Sequence, residues 1–113
     1  MSAITTHILD VSKGCPARGV PVALERQTGA GWEIIGKGAT DEDGRSRDLL
    51  DAEAILQAGN YRLTFDTETY FAQQQIKGFY PQVTVVFVVR DATQHYHVPL
   101  LLSPFGYSTY RGS

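Results

Sequence analysis

Two stretches of this chain alternate apolar and polar side chains with a period of two, and that period limits what the rest can be. Tyr61, Leu63 and Phe65 alternate with Arg62, Thr64 and Asp66. Nearer the end, Tyr96, Val98, Leu100 and Leu102 alternate with His95, His97 and Pro99. Successive side chains of a β-strand point to opposite faces, so residues i and i+2 share one. Each stretch therefore gives one face to a core. In the second stretch the other face carries two imidazoles, and periodicity alone does not separate His95 from His97. A Ser103-Pro104 break then leads to a run ending in Tyr110, Arg111, Gly112 and Ser113. The carboxylate expected on Ser113 has a reference pKa of about 3.5 and would be ionised at neutral pH.

The remaining segments continue the pattern. Residues 4–11 are rich in β-branched and apolar types and read as a strand; a loop with Gly14, Pro16 and Gly19 follows. Val20, Val22 and Leu24 alternate in a second strand, and residues 32–40 form a third, interrupted by glycines. Asp41-Glu-Asp-Gly44 reads as an acidic turn from which Arg45 departs. Good helix formers over 48–58 predict a short helix there, after a brief strand around Ser46 to Leu49. A second helix is expected from Glu68 to Lys77, with Thr67 as its cap and Gly78 as its stop. Val83 to Val89 is apolar on nearly both faces, which predicts a central strand. The sum is a mainly β fold: a two-sheet antiparallel β-sandwich of seven or eight strands with one short helix. Residues 1–113 are expected to form a single domain.

Composition removes several function classes. A net charge of −2, with scattered basic residues, offers no general attraction for nucleic acid or an anionic membrane surface. No apolar stretch approaches the ~18 residues of a membrane span. No basic leader with an apolar run and a cleavage site is recognisable, so a soluble, cytoplasmic protein is expected. Cys15 is the single cysteine, which excludes an internal disulfide and a four-cysteine metal site. No base or cation near it in sequence marks it as a reactive thiol.

Four segments, in this order, closely resemble the 5-hydroxyisourate hydrolases, transthyretin-related enzymes of purine breakdown. They are Thr6-His-Ile-Leu-Asp10, Thr40-Asp-Glu-Asp-Gly-Arg45, Tyr61-Arg-Leu-Thr-Phe-Asp66 and the closing His95-to-Ser113 run, whose last four residues are the family's signature. The resemblance implies a transthyretin-like sandwich assembled as a homotetramer, a dimer of dimers, with active sites where dimers meet. It implies hydrolytic opening of the six-membered ring of 5-hydroxyisourate, giving 2-oxo-4-hydroxy-4-carboxy-5-ureidoimidazoline, with no cofactor and no metal. Carried over residue by residue, it assigns His7, Arg45, His97 and Ser113 to catalysis. It assigns substrate contact to His7, Arg45, Tyr110, Arg111, Gly112 and Ser113.

Each assignment has an ordinary structural alternative. A strand histidine is commonly hydrogen-bonded to water, and a turn arginine is commonly a solvated charge; Arg47 is the nearest decoy for Arg45. Ser113 lacks the Gly-x-Ser-x-Gly elbow that would make it a nucleophile. The chemistry nonetheless suits the set. Imidazole has a reference pKa of ~6.5 and is mostly neutral yet basic at neutral pH. The planar donor fork of arginine holds ring carbonyls and stabilises negative charge. Two rival functions fit the same fold. His95-x-His97 with His7 could ligate zinc, and the same sandwich could carry a small apolar ligand without catalysis.

Overall fold

The computed structural model describes residues 2–113. Its strands are β1 (Ile4–Asp10), β2 (Cys15–Pro16), β3 (Pro21–Thr28), β4 (Gly31–Ala39), β5 (Arg45–Ser46), β6 (Gly59–Phe65), β7 (Val83–Val89), β8 (Tyr96–Ser103) and β9 (Gly106–Thr109). The helix α1 (Thr67–Ala72) lies between β6 and β7. One sheet runs β2-β1-β8-β9, with β5 pairing beside β2 along β1; the other runs β4-β3-β6-β7. Seven strands have four residues or more, and β2 and β5 are two-residue pieces docked on β1. No helix among the described residues is long and apolar enough to cross a membrane.

The period-two faces meet where expected. Ile4 and Ile8 of β1, Leu24 of β3, Leu63 and Phe65 of β6, and Leu100 and Leu102 of β8 are all buried between the sheets. Burial of side chains this size stabilises by about 1.5–3 kcal/mol each. Asp10 is buried among them and is held by the Tyr70 hydroxyl at 2.7 Å and the Ser12 hydroxyl at 2.5 Å.

Four expectations are corrected. Pairing is antiparallel except between β1 and β8, which run parallel from Ile4↔Tyr96 to Asp10↔Leu102. A parallel pair needs a long crossover, and here the chain crosses through the whole second sheet between them. Second, 48–58 contains no helix. Eleven residues are marginal as a helix in water, and tertiary contacts win: Leu49, Leu50 and Leu56 bury their side chains from an irregular loop. That loop presses onto β4 at Gly36, where a β-carbon would stand 1.7 Å from the Leu49 carbonyl oxygen. Third, α1 ends at Ala72, and Asp66 rather than Thr67 caps it by accepting from the Thr69 amide at 3.0 Å. Fourth, β7 is an edge strand, with Val86 and Val88 exposed.

Candidate functional site

The site is built on the outward face of β1. Thr5 and His7 lie two residues apart on that face, opposite the core-facing Ile4, Thr6 and Ile8. Strand register then supplies their neighbours. His7 stands beside Arg45 of β5, and Thr5 stands beside His97 of β8. The His7 and His97 rings are 6.5 Å apart between centroids, and the His95 and His97 rings are 6.4 Å apart and nearly parallel. Three residues read from sequence as catalytic are thus gathered from three strands onto one patch.

Arg45 is aimed by the turn before it. The Asp41 carboxylate accepts from the amides of Asp43 at 2.9 Å and Arg45 at 3.0 Å, and the Asp41 amide donates to the Arg45 carbonyl at 2.9 Å. The Arg45 amide hydrogen bond is the main reason that carboxyl sits below its usual range, with Asp43, Arg47 and the Arg45 charge adding to it. Gly44 adopts φ +75°, and a β-carbon there would come 2.4 Å from the Ile8 carbonyl oxygen. Glycine is what allows the turn to dock flat against β1.

His97 is half-buried, and its imidazole is held below the ordinary value of 6.5. Burial is the largest cause, followed by the charges of Arg45, His7 and His95, while the Thr5 backbone pulls the other way. His97 is therefore neutral and able to accept a proton at physiological pH. Its Nδ1 lies 2.8 Å from the Thr5 hydroxyl. Thr5 was not anticipated from sequence. Period two places it on the face of His7, but only the β1–β8 register shows it touching His97.

A polar hollow of about 160 Å³ opens here, lined by Thr5, Arg45, Arg47, His95, His97 and Ser113 among others. Both arginines border it, so the register leaves Arg45 beside His7 and Arg47 two residues along on the same face. The closing residues divide. Gly112 packs against His97, donating its amide to the His97 carbonyl at 2.8 Å, and Ser113 reaches the hollow. Arg111 turns away: its guanidinium lies 4.6 Å from the centre of the Tyr96 ring and donates to Gln94 at 2.9 Å. Tyr110 is exposed and lines a separate, largely apolar hollow of about 520 Å³, bounded by Val85, Phe87 and Val98 and touching His97 at one rim. Among the described residues, no three His, Cys, Asp or Glu side chains are grouped to hold a metal ion. Two of the three imidazoles, His95 and His97, meet at the Thr5 hydroxyl, while the His7 ring lies 6.5 Å from that of His97.

A neutral imidazole, a second imidazole, a guanidinium and a hydroxyl on one wall can grip a flat polar ring, take a proton from water and hold negative charge. The sequence model described as the HIUase/transthyretin family matches residues 4–112. The chain belongs to that family. Among its relatives, a probable 5-hydroxyisourate hydrolase of Caenorhabditis elegans is 49% identical over 99% of this chain and 82% of its own length. The solved structure of Klebsiella pneumoniae 5-hydroxyisourate hydrolase is 39% identical, covers 100% of both chains and superposes with a TM-score of 0.86. Sea bream transthyretin, solved in complex with thyroxine, is 36% identical over 98% of this chain and 95% of its own, with a TM-score of 0.91. Within the family, then, the shared sandwich does not divide hydrolases from thyroxine binders, and the side chains on it must.

Proposed function

We propose that this chain is a hydrolase that opens the six-membered ring of 5-hydroxyisourate to give 2-oxo-4-hydroxy-4-carboxy-5-ureidoimidazoline in urate breakdown, without a cofactor. The observation that carries this reading is His97, a half-buried imidazole kept neutral beside His7 and Arg45. His97 takes a proton from water as the water oxygen bonds to the ring carbonyl carbon. Arg45 holds the oxygen that becomes negative, and the carbon–nitrogen bond then breaks as the nitrogen takes up a proton. His7 orients water or substrate, and Ser113 closes the rim beside Arg45. The names of the relatives support the same substrate.

The reading includes assembly of four copies as a dimer of dimers in the cytoplasm. The polar hollow of one chain, about 160 Å³, is smaller than the ~300 Å³ at the low end of ordinary ligand sites. A neighbouring subunit would complete it. In that assembly Tyr110 and Arg111 contribute from the apolar side of His97.

A carrier without catalysis is the second reading, favoured by the apolar hollow along β7 and β8 and by the thyroxine-bound relative. The test is the ultraviolet decay of freshly generated 5-hydroxyisourate with and without protein. Accelerated decay supports the hydrolase; unchanged decay removes it and leaves the carrier.

A further inference from the structure

The Thr5 hydroxyl touches two imidazoles at once. Its Oγ1 is 2.8 Å from Nδ1 of His97 and 3.1 Å from Nε2 of His95. Thr5 is itself buried, only 5% exposed, so water does not compete freely for that hydroxyl. We infer that Thr5 and His95 form a proton relay behind His97, in which the Thr5 hydroxyl sets the bare nitrogen of His97 and passes its acquired proton to His95. This rests on the hydrolase reading above.

A hydroxyl has one proton to donate and lone pairs to accept with, and a neutral imidazole has one N–H and one bare nitrogen. The single Thr5 proton cannot serve both rings, so when it is spent on one neutral imidazole the other must donate to the Thr5 oxygen. The tautomers are therefore opposed. In the first arrangement His97 Nδ1–H donates to Thr5, the Thr5 O–H donates to His95 Nε2, and His97 Nε2 is bare. In the second, His95 Nε2–H donates to Thr5, the Thr5 O–H donates to His97 Nδ1, and His97 Nε2 carries a proton. The first is a base and the second is an acid.

A proton taken from water carries the first arrangement into the hydrogen-bond pattern of the second, with the added proton held on His95. His97 Nε2 takes a proton from the attacking water. The Nδ1–H bond then breaks as an O–H bond forms on Thr5, and the former Thr5 proton bonds to His95 Nε2. His97 is left neutral with its new proton on Nε2, and His95 is an imidazolium. When Nε2 gives its proton to the departing ring nitrogen, the same two transfers run backwards and restore the first arrangement.

The surroundings decide where the charge rests. His97 is half-buried and faces Arg45, Arg47 and His7, so a positive charge there is both desolvated and repelled. His95 borders the same hollow as Arg45 and Arg47 and has Arg111 and Ser113 beside it, but it is exposed, so water solvates and screens its charge. A substrate that needs a base first and an acid later gains from moving the proton out of the crowded position between those steps. Thr5 and His95 are thus positioning residues; neither needs to touch the substrate.

The test uses the full chain, three single variants and one double variant. Thr5→Val removes the hydroxyl while keeping a β-branched side chain, Thr5→Ser keeps the hydroxyl, and His95→Gln removes the proton acceptor from an exposed position with little threat to folding. For Thr5→Val and for His95→Gln, kcat should fall about 10- to 100-fold with KM nearly unchanged, and Thr5→Ser should stay within about threefold of wild type. The Thr5→Val/His95→Gln double variant should be no slower than the worse single, because both cut one chain. Imidazole ¹⁵N spectra, which need no substrate, should show His97 as the Nδ1–H tautomer in wild type and a mixture in Thr5→Val. Wild-type kcat in His95→Gln, multiplying losses in the double variant, or an unchanged His97 tautomer in Thr5→Val would each overturn the relay. A wild-type protein that leaves 5-hydroxyisourate untouched would instead overturn the hydrolase reading, with the spectra still judging the tautomer lock.

Discussion

The His97 ring lies over Gly112, and the space it occupies is the space a larger residue at 112 would need. A β-carbon built on Gly112 would stand 2.6 Å from Cδ2 of His97 and 3.2 Å from Cγ of Pro99. Gly112 is not among the glycines with positive φ, so its backbone is open to any residue. What the glycine supplies is room. It lets the closing residues bond to the His97 carbonyl while the imidazole stays against Thr5.

Gly112→Ala should therefore impair chemistry more than folding. The methyl group displaces the His97 ring from the Thr5 hydroxyl, and misplacing a catalytic group by about 1 Å costs on the order of 100-fold in rate. Steady-state kinetics should show that fall chiefly in kcat. Thermal unfolding should shift by only a few degrees, because the backbone conformation suits alanine.

His97 and Arg45 are coupled through charge, and a pH–rate profile reads that coupling. The folded His97 pKa lies below 6.5, so the base form persists into mildly acidic solution and kcat/KM falls only as pH drops through the lowered value. Arg45→Gln removes a cation from beside the ring. The acid limb should move up toward the ordinary value while the plateau drops by about 10²- to 10³-fold. The sign for stability is the same. An unfolded chain binds this proton more readily, so the contribution of His97 is complete above 6.5 and erodes as pH falls. A limb that stays put in Arg45→Gln would show that the guanidinium does not face His97 in solution.

How much of this was legible before the structure follows from which interactions are local. Period two in 61–66 and 96–102 fixed core faces, since alternation is a property of the strand itself. The Asp41–Gly44 turn was readable because its hydrogen bonds close within five residues. Three things were not local. The helix expected over 48–58 lost to burial of Leu49, Leu50 and Leu56 against the sheet. The apolar run 83–89 does not say whether a second strand lies beyond it, so an edge looked like a centre. Thr5 acquires its role only because the last long strand returns parallel to the first, 92 residues away in sequence.

Tyr70→Phe tests the interior by a different route. Burial alone would raise the Asp10 carboxyl, but hydrogen bonds from Ser12, Tyr70 and the Lys13 amide outweigh it and keep the group ionised below its usual range. Losing the Tyr70 hydroxyl removes a hydrogen bond to a buried charge, which costs about 1.5–3 kcal/mol. Urea unfolding at neutral pH should show that loss. The stabilisation tied to the lowered Asp10 pKa is present above the unfolded value of about 3.9 and disappears as pH falls through the folded one, so wild type and variant should converge in acid.

The edge strand β7 supplies the remaining prediction. Val86 is 59% exposed and Val88 is 39% exposed, on an edge that carries no lysine or proline to discourage pairing. Phe79 and Phe105 are also exposed, and Tyr80 packs edge-on against Tyr107 beside them. Such a border left open in water invites association with further chains, and a closed assembly is the arrangement that uses it up. Sedimentation should give a particle four times the 12.5 kDa chain mass. Lysines at both positions, Val86→Lys with Val88→Lys, should shift it to smaller species, because like charges would face one another across the paired edges. If the polar hollow is completed by a neighbour, the dissociated variant should lose activity although Thr5, His7, Arg45 and His97 are untouched. A dissociated variant with wild-type turnover would show that one chain holds the whole site.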